Sequence, residues 1–305
     1  MSTETAAMAP TDTPPSAVAD TPLPVVRTPA DLRARVAAWR KEGLRVGLVP
    51  TMGALHEGHL SLVTRARELA DRVVASVFVN PTQFGPNEDF GRYPRDEAGD
   101  ARLLAGAGCD LLYAPTVEAI YPPGHSTSVD VGPVAVPLEG HFRPGHFQGV
   151  ATVVTKLLLQ ALPDVACFGQ KDYQQLAVIR RLATDLDIPV RIEGVPTVRE
   201  ADGLALSSRN RYLSAEERQQ AVTISRVLKQ LRDTLGDGGQ PVAPAITQAT
   251  EALTAAGFTR IDYVAVVDAD TLAPLERVDR PARALVAAFL GRTRLIDNLA
   301  LGPQD

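Results

Sequence analysis

From about Pro24 onward the chain repeatedly exchanges short apolar runs for longer segments whose apolar residues recur at helical spacing, and this limits the folds open to it more than any other feature. Arg45 to Pro50 has the length and branched apolar content of a buried strand. A glycine-bearing turn follows, then a predicted helix with Leu62, Val63, Ala66, Leu69 and Ala70 on one face. The unit recurs, with strands expected at Val73–Val79, Asp110–Tyr113 and Val165–Phe168 and helices at Asp96–Ala107, Gly149–Leu162 and Tyr173–Leu186. Alternation of this kind predicts an α/β fold, a Rossmann-like, mostly parallel sheet with helices on both faces. Ligands of such sheets bind beyond the carboxyl ends of the strands. The loops to watch are therefore Pro50–His59, Asn80–Gly85 and Gly169–Asp172.

After about Pro196 the pattern changes to a long helix from Ser214 to about Leu235, a break at Gly236–Gly239, another helix, and apolar runs at Ile261–Val267 and Ala284–Leu290. Residues 25–196 are read as the Rossmann-like domain and 197–305 as a smaller C-terminal α+β lid domain. The first 24 residues are rich in Thr, Pro and Ala and hold too few large apolar side chains to offset the entropy of ordering them, so they are expected to form a disordered leader.

A formal net charge of -5 and the lack of any Lys/Arg block argue against a nucleic-acid partner. No apolar stretch approaches the length of a membrane span, and the leader is acidic rather than basic, unlike a signal peptide. Cys109 and Cys167 lie far apart in apolar runs, where buried thiols in a reducing cytoplasm are expected. A polyanion handled against this acidic background has to be held by a few locally placed donors.

Pro50-Thr51-Met52-Gly53-Ala54-Leu55-His56-Glu57-Gly58-His59 leaves a strand and enters a helix, whose unpaired N–H groups and partial positive charge suit phosphate. His56 and His59 fall near one face of the first turn, and Gly53 and Gly58 permit close backbone approach. No further ligands at metal spacing accompany the histidines, and neither a Walker A loop nor a Gly-x-Gly-x-x-Gly fingerprint is present. The His-x-Gly-His element resembles the ATP-binding signature of nucleotidylyltransferases and class I aminoacyl-tRNA synthetases. Leu206-Ser207-Ser208-Arg209-Asn210-Arg211 offers two hydroxyls and a permanent cation before an N-cap at Ser214 with Glu217 three residues on. Phe78–Gly85 presents amide side chains, and Phe168–Leu176 sets Lys171 beside Asp172 at a helix start, where a lysine calls for a compensating anion.

With these segments in one order, the chain resembles the pantothenate synthetase family from about Val25 to Leu299. The likeness includes Tyr93-Pro94-Arg95, Arg143-Pro144-Gly145-His146-Phe147 and Val195 to Leu204. The family often has methionine where Leu206 stands, and the leader lies outside the likeness. The resemblance implies that pantoate attacks the α-phosphate of ATP, which arrives with Mg2+, releasing pyrophosphate, and that the β-alanine amine then displaces AMP from the pantoyl adenylate. It implies an ATP site formed by Met52, Gly53, Ala54, Leu55, His56, Glu57, Gly58, His59, Gly169, Gln170, Lys171, Asp172, Val198, Leu206, Ser207, Ser208 and Arg209. His59, assisted by His56, would donate a proton or stabilise phosphate, and Lys171, Ser207, Ser208 and Arg209 would neutralise developing charge. Gln83 and Gln175 would hold pantoate, no residue would serve as a dedicated metal ligand, and the protein would be a cytoplasmic homodimer. A nucleotidylyltransferase that keeps the nucleotide on its product remains the alternative at this point, with a non-catalytic nucleotide sensor as a rival of another class.

Overall fold

The computed structural model describes residues 23–85, 88 and 90–302. The expected leader therefore falls, up to residue 22, outside the described residues. Six strands, β1 (Val25–Val26), β2 (Val46–Thr51), β3 (Arg72–Val77), β4 (Leu111–Tyr113), β5 (Val165–Gly169) and β6 (Arg191–Val195), pair in the order β1-β4-β3-β2-β5-β6. Every pairing is parallel. Successive side chains of a strand point to opposite faces, and the sequence uses both. Leu48, Val74, Leu111, Tyr113, Ala166 and Phe168 face one core with the helices Pro29–Lys41, His146–Ala161 and Tyr173–Asp185. Val49, Val73, Ala75, Leu112, Val165 and Cys167 face a second core with the helices Glu57–Leu69 and Glu97–Gly106. Strands buried on both faces read as continuous apolar runs, which is why they are legible in the sequence.

The C-terminal sheet is antiparallel, β7 (Arg260–Asp268), β8 (Ala282–Leu290) and β9 (Thr293–Leu301) in that order. One face, with Ala282, Ala284, Val286, Ala288 and Leu290 of β8, packs under the helices Thr223–Leu235 and Val242–Ala255. The other face joins the first domain, since Val267, Leu272 and Leu285 are buried in the same core as the helix Tyr173–Asp185. The helix expected from Ser214 to Leu235 is two, Ala215–Ala221 and Thr223–Leu235, because the Val222 N–H turns to the Gln220 carbonyl and interrupts the ladder. Its expected start stands, since Ser214 and Glu217 form a reciprocal capping box. Both cysteines are buried free thiols.

Candidate active site

In the sheet order the connections from β2 lead to one side and those from β5 to the other, so β2/β5 is the switch point at which a crevice opens beyond the strand ends. β2 delivers Met52–His59 to that crevice, and β5 delivers Gly169–Asp172. The first loop is bent through left-handed backbone at Gly53 (φ 84°) and Ala54 (φ 52°). Buried Asp100 fastens the bend by accepting from the N–H groups of Ala54 (3.0 Å) and Leu55 (2.8 Å). A Cβ on Gly53 would lie 2.8 Å from Asp100 Oδ2, so both backbone angle and space demand glycine there.

His56 is the N-cap of the helix Glu57–Leu69. Its Nδ1 accepts from the Gly58 N–H (3.1 Å), while His59 Nδ1 accepts from the His56 N–H (3.3 Å). Each ring is thereby fixed as the tautomer with the proton on Nε2. The ring centroids are 4.2 Å apart. Burial, aided by the charge of Lys171, lowers His56 to about 4; burial and the neighbouring His56 lower His59 to about 3. Both rings are neutral near pH 7 and offer their Nε2–H groups as hydrogen-bond donors. Glu57 is exposed at the first helical position.

At the end of β5, a Cβ on Gly169 would meet nothing within 4 Å, which leaves open space against the backbone. Lys171 and Asp172 line the cleft, and Lys171 has no ion-pair partner among the described residues. Gln170 is committed inward: its Nε2 donates to the Gly194 carbonyl (3.2 Å), and its Oε1 accepts from Arg283 (3.1 Å). Its expected contact with ATP is thus open to it only through backbone.

Residues 198–206 double back as a small hairpin, with Leu206 N–H donating to the Val198 carbonyl (2.9 Å) and an isolated bridge between Arg199 and Ala205. Leu206 lies over the histidine turn, since a Cβ on Gly58 would be 3.9 Å from Leu206 Cβ. Ser207 then caps a short 3-10 turn, accepting from the Arg209 N–H (3.3 Å), and Ser207 and Arg209 line the cleft while Ser208 does not. Supports absent from the sequence reading hold this segment: Glu200 accepts from Asn210 (3.0 Å) and Arg218 (2.6 Å).

The cleft between the two sheets has a volume of about 780 Å³. Gln83 lines it, and Gln175 lines a smaller adjoining cavity that shares Lys171, Asp172 and His146 with the first. His56 and His59 are not among its lining residues, but the charges of Lys171 and Asp172, which are, act on both rings. Gln83 is set by buried Asn80, which donates to its Oε1 (3.0 Å), and its Nε2 donates to Met52 Sδ (3.1 Å), joining the β3 loop to the β2 loop. Two further lining residues have no role in the sequence reading. Arg143 donates in a fork to Glu88 (2.7 and 2.6 Å) and to His146 Nε2 (3.0 Å), while His146 Nδ1 donates to the Gln83 carbonyl (2.9 Å). Burial and adjacent Arg143 lower His146 to about 4. No group of three His, Cys, Asp or Glu side chains converges as metal ligands among the described residues.

The family profile described as pantoate-beta-alanine ligase matches residues 24–300. Pantothenate synthetase of Paramagnetospirillum magneticum is 62% identical over 283 residues, covering 93% of this chain and 99% of that protein. That of Rhodospirillum rubrum is 57% identical over 280 residues, covering 92% and 99% respectively. The crystal structure of the Thermus thermophilus pantothenate synthetase superposes with a TM-score of 0.85 at 53% identity, covering 92% of this chain and 100% of that one. A pantoate-beta-alanine ligase from Francisella tularensis, solved with beta-gamma ATP and beta-alanine, superposes with a TM-score of 0.75 at 34% identity over 91% of this chain and 97% of that one. The residues matched span both sheets and every loop of the crevice, and the chain belongs to the pantoate-beta-alanine ligase family.

Proposed function

We propose that this chain condenses pantoate with β-alanine in two steps at the β2/β5 crevice, through a pantoyl adenylate. The observation that carries the proposal is the meeting of two neutral Nε2–H donors, Lys171, and the Ser207–Arg209 segment beside an amide-lined cavity. A carboxylate resists amines because it is anionic and lacks a leaving group, and adenylation supplies the leaving group. A pantoate carboxylate oxygen attacks the α-phosphorus, the bond to the bridging oxygen breaks, and pyrophosphate departs. The β-alanine amine then attacks the acyl carbon, and AMP leaves.

His56 and His59 donate to phosphate from the helix start, with the backbone of Met52 to Gly58 around them. Lys171, Ser207, Ser208 and Arg209 neutralise charge that grows on the α-phosphate and the leaving pyrophosphate; one preorganised donor of this kind is worth about 3–4 kcal/mol of barrier. Asp172 accepts from the ribose hydroxyls, and the open space at Gly169 admits the nucleoside against the backbone, with Val198 approaching from the hairpin. Gln83 and Gln175 hold pantoate through its hydroxyls and carboxylate. A magnesium ion arriving with ATP would be held chiefly by phosphate oxygens and water and would supply charge neutralisation on the triphosphate. Closure of the Ser207–Arg209 loop shields the adenylate from water. The protein is proposed to work as a cytoplasmic homodimer. The buried free thiols suit a reducing compartment, and among the described residues no helix is long and apolar enough to cross a membrane.

Pyrophosphate and AMP are followed with ATP, magnesium and pantoate, with and without β-alanine. The expected result is pantoate-dependent pyrophosphate in both cases and AMP with amide only when β-alanine is present. A nucleotidyl group retained on the product would instead establish the transferase alternative, which the family membership does not favour.

A further inference from the structure

The two phosphate-facing motifs follow different strands of the parallel sheet, β5 and β6, yet two consecutive residues of β9 in the other sheet touch the base of both. Asn298 donates from its Nδ2 to the carbonyls of Gln170 (2.9 Å) and Lys171 (2.8 Å). Asp297 accepts in a fork from Arg199 (2.7 and 3.0 Å), whose guanidinium also donates to the Gly203 carbonyl (3.0 Å) inside the hairpin that carries Ser207 and Arg209. Neighbouring side chains of a strand point to opposite faces, so one dipeptide grips one motif on each side of the sheet. Asp297 is 4% exposed and Asn298 3%.

The pair is itself tightly fixed. Asp297 Oδ1 accepts from the Asn298 N–H (2.7 Å), Asn298 Oδ1 accepts from Arg283 Nε (2.8 Å), and the Asn298 carbonyl accepts from Arg199 (3.2 Å). Arg283 lies 4.0 Å over the ring of Tyr173, directly after the Lys171 turn, and also donates to Gln170. A carboxamide facing two carbonyls is a donor in fixed position, and a buried Asp–Arg fork is rigid in direction as well as charged.

We infer that Asp297 and Asn298 are positioning residues for adenylation: acting through Arg199 and the Gln170–Lys171 backbone, they set the distance and orientation between Lys171 and the Ser207–Arg209 segment. The inference rests on the assignment of Lys171 to phosphate in the proposed function. Its chemical content is that charge stabilisation depends on both cations reaching the same phosphate oxygens together. A misplacement of about 1 Å in such a constellation costs roughly 10²-fold in rate.

The test is a double-mutant cycle on the first half-reaction, with pantoate-dependent pyrophosphate release measured in Asn298→Ala, Lys171→Ala and the double variant. Asn298→Ala is expected to slow release by about 10- to 100-fold with little change in the pantoate concentration at half-maximal rate. It should leave aminolysis of supplied pantoyl adenylate by β-alanine near the unsubstituted rate. In the Lys171→Ala background the same substitution should add less than about threefold, because residues acting through one another are not additive. An equal factor in both backgrounds, or an equal loss in the aminolysis step, overturns the inference and makes Asn298 a general structural residue. If Lys171→Ala alone leaves adenylation unchanged, the phosphate assignment fails and the inference fails with it. Asn298→Asp keeps the volume but replaces the amide donors with acceptors, and it takes the place of the alanine variant should that one not fold.

Discussion

Asp100 offers the sharpest single test of how the histidine turn is built. Its carboxylate accepts from the N–H groups of Ala54 and Leu55 at 3.0 and 2.8 Å in a site only 3% exposed. In Asp100→Ala both donors lose a charged acceptor, and an orphaned buried donor costs about 1–3 kcal/mol, so about 2–6 kcal/mol for the two. Entry of a water into the vacated space places the expected value in the lower half of that range. A domain of ordinary stability, about 5–15 kcal/mol, survives this. The local effect is the more telling one, because the bend at Gly53 and Ala54 aims His56 and His59. Denaturant unfolding reads the stability, and the ATP KM for pyrophosphate release reads the loop. A second substitution sharpens the test. Gly53→Ala places a Cβ 2.8 Å from Asp100 Oδ2 on backbone at φ 84°; left-handed backbone costs a non-glycine residue about 1–2 kcal/mol. With Asp100 already alanine, only that backbone cost remains and the two losses are less than additive. Unfolding within about 0.5 kcal/mol of the parent, the range of substitutions that touch nothing important, together with an unchanged ATP KM, would mean that Asp100 does not hold the histidine turn.

Arg209→Ala should slow adenylation by about 10²–10³-fold while ATP affinity changes by less than about tenfold; equal losses in a binding titration and a single-turnover assay would deny it a role concentrated in the transition state. His146 is held neutral in the fold and lowered to about 4, whereas its unfolded value is near the ordinary 6.5. Its contribution is therefore complete above pH 6.5 and lost as pH falls toward 4, up to about 3 kcal/mol. His146→Gln, which can still donate to Gln83 and accept from Arg143, should flatten the urea-midpoint profile in that window, and an unchanged slope would contradict this. Gly149→Ala would set a Cβ 2.4 Å from the Thr82 carbonyl oxygen, pushing the Asn80–Gln83 turn off the helix His146–Ala161. An overpacking cost of about 1–3 kcal/mol and a raised pantoate KM with ATP affinity retained are the expected pair of results.

The strands β2, β3, β4 and β5 are legible in the sequence because burial on both faces leaves unbroken apolar runs. β6 and β9 are not, because Arg191, Glu193, Asp297 and Asn298 interrupt the pattern, and those polar residues are present for contacts made across the fold. The order of the strands is equally hidden, since only packing sets β2 beside β5 and so brings His59 near Lys171. The motifs that face the crevice can be read from local spacing. Their supports cannot, since Asp100, Glu200 and Asn298 are single polar residues whose partners lie far away in sequence and leave no local signature. The neutrality of the histidines has no sequence signal either, because it comes from burial and from the charge of Lys171, while backbone hydrogen bonds to Nδ1 set only the tautomer.

Val267, Leu272 and Leu285, each at most 4% exposed, are buried against helices of the opposite domain. Fully burying one such side chain stabilises by about 1.5–3 kcal/mol, so the three together approach the whole stability of a typical domain. A chain ended at Pro196 would present that apolar face to water, and residues 197–302 alone would present its counterpart. The two sheets are thus halves of one cooperative unit, which should melt in a single transition, and neither is a module that shuffling or truncation can carry away by itself.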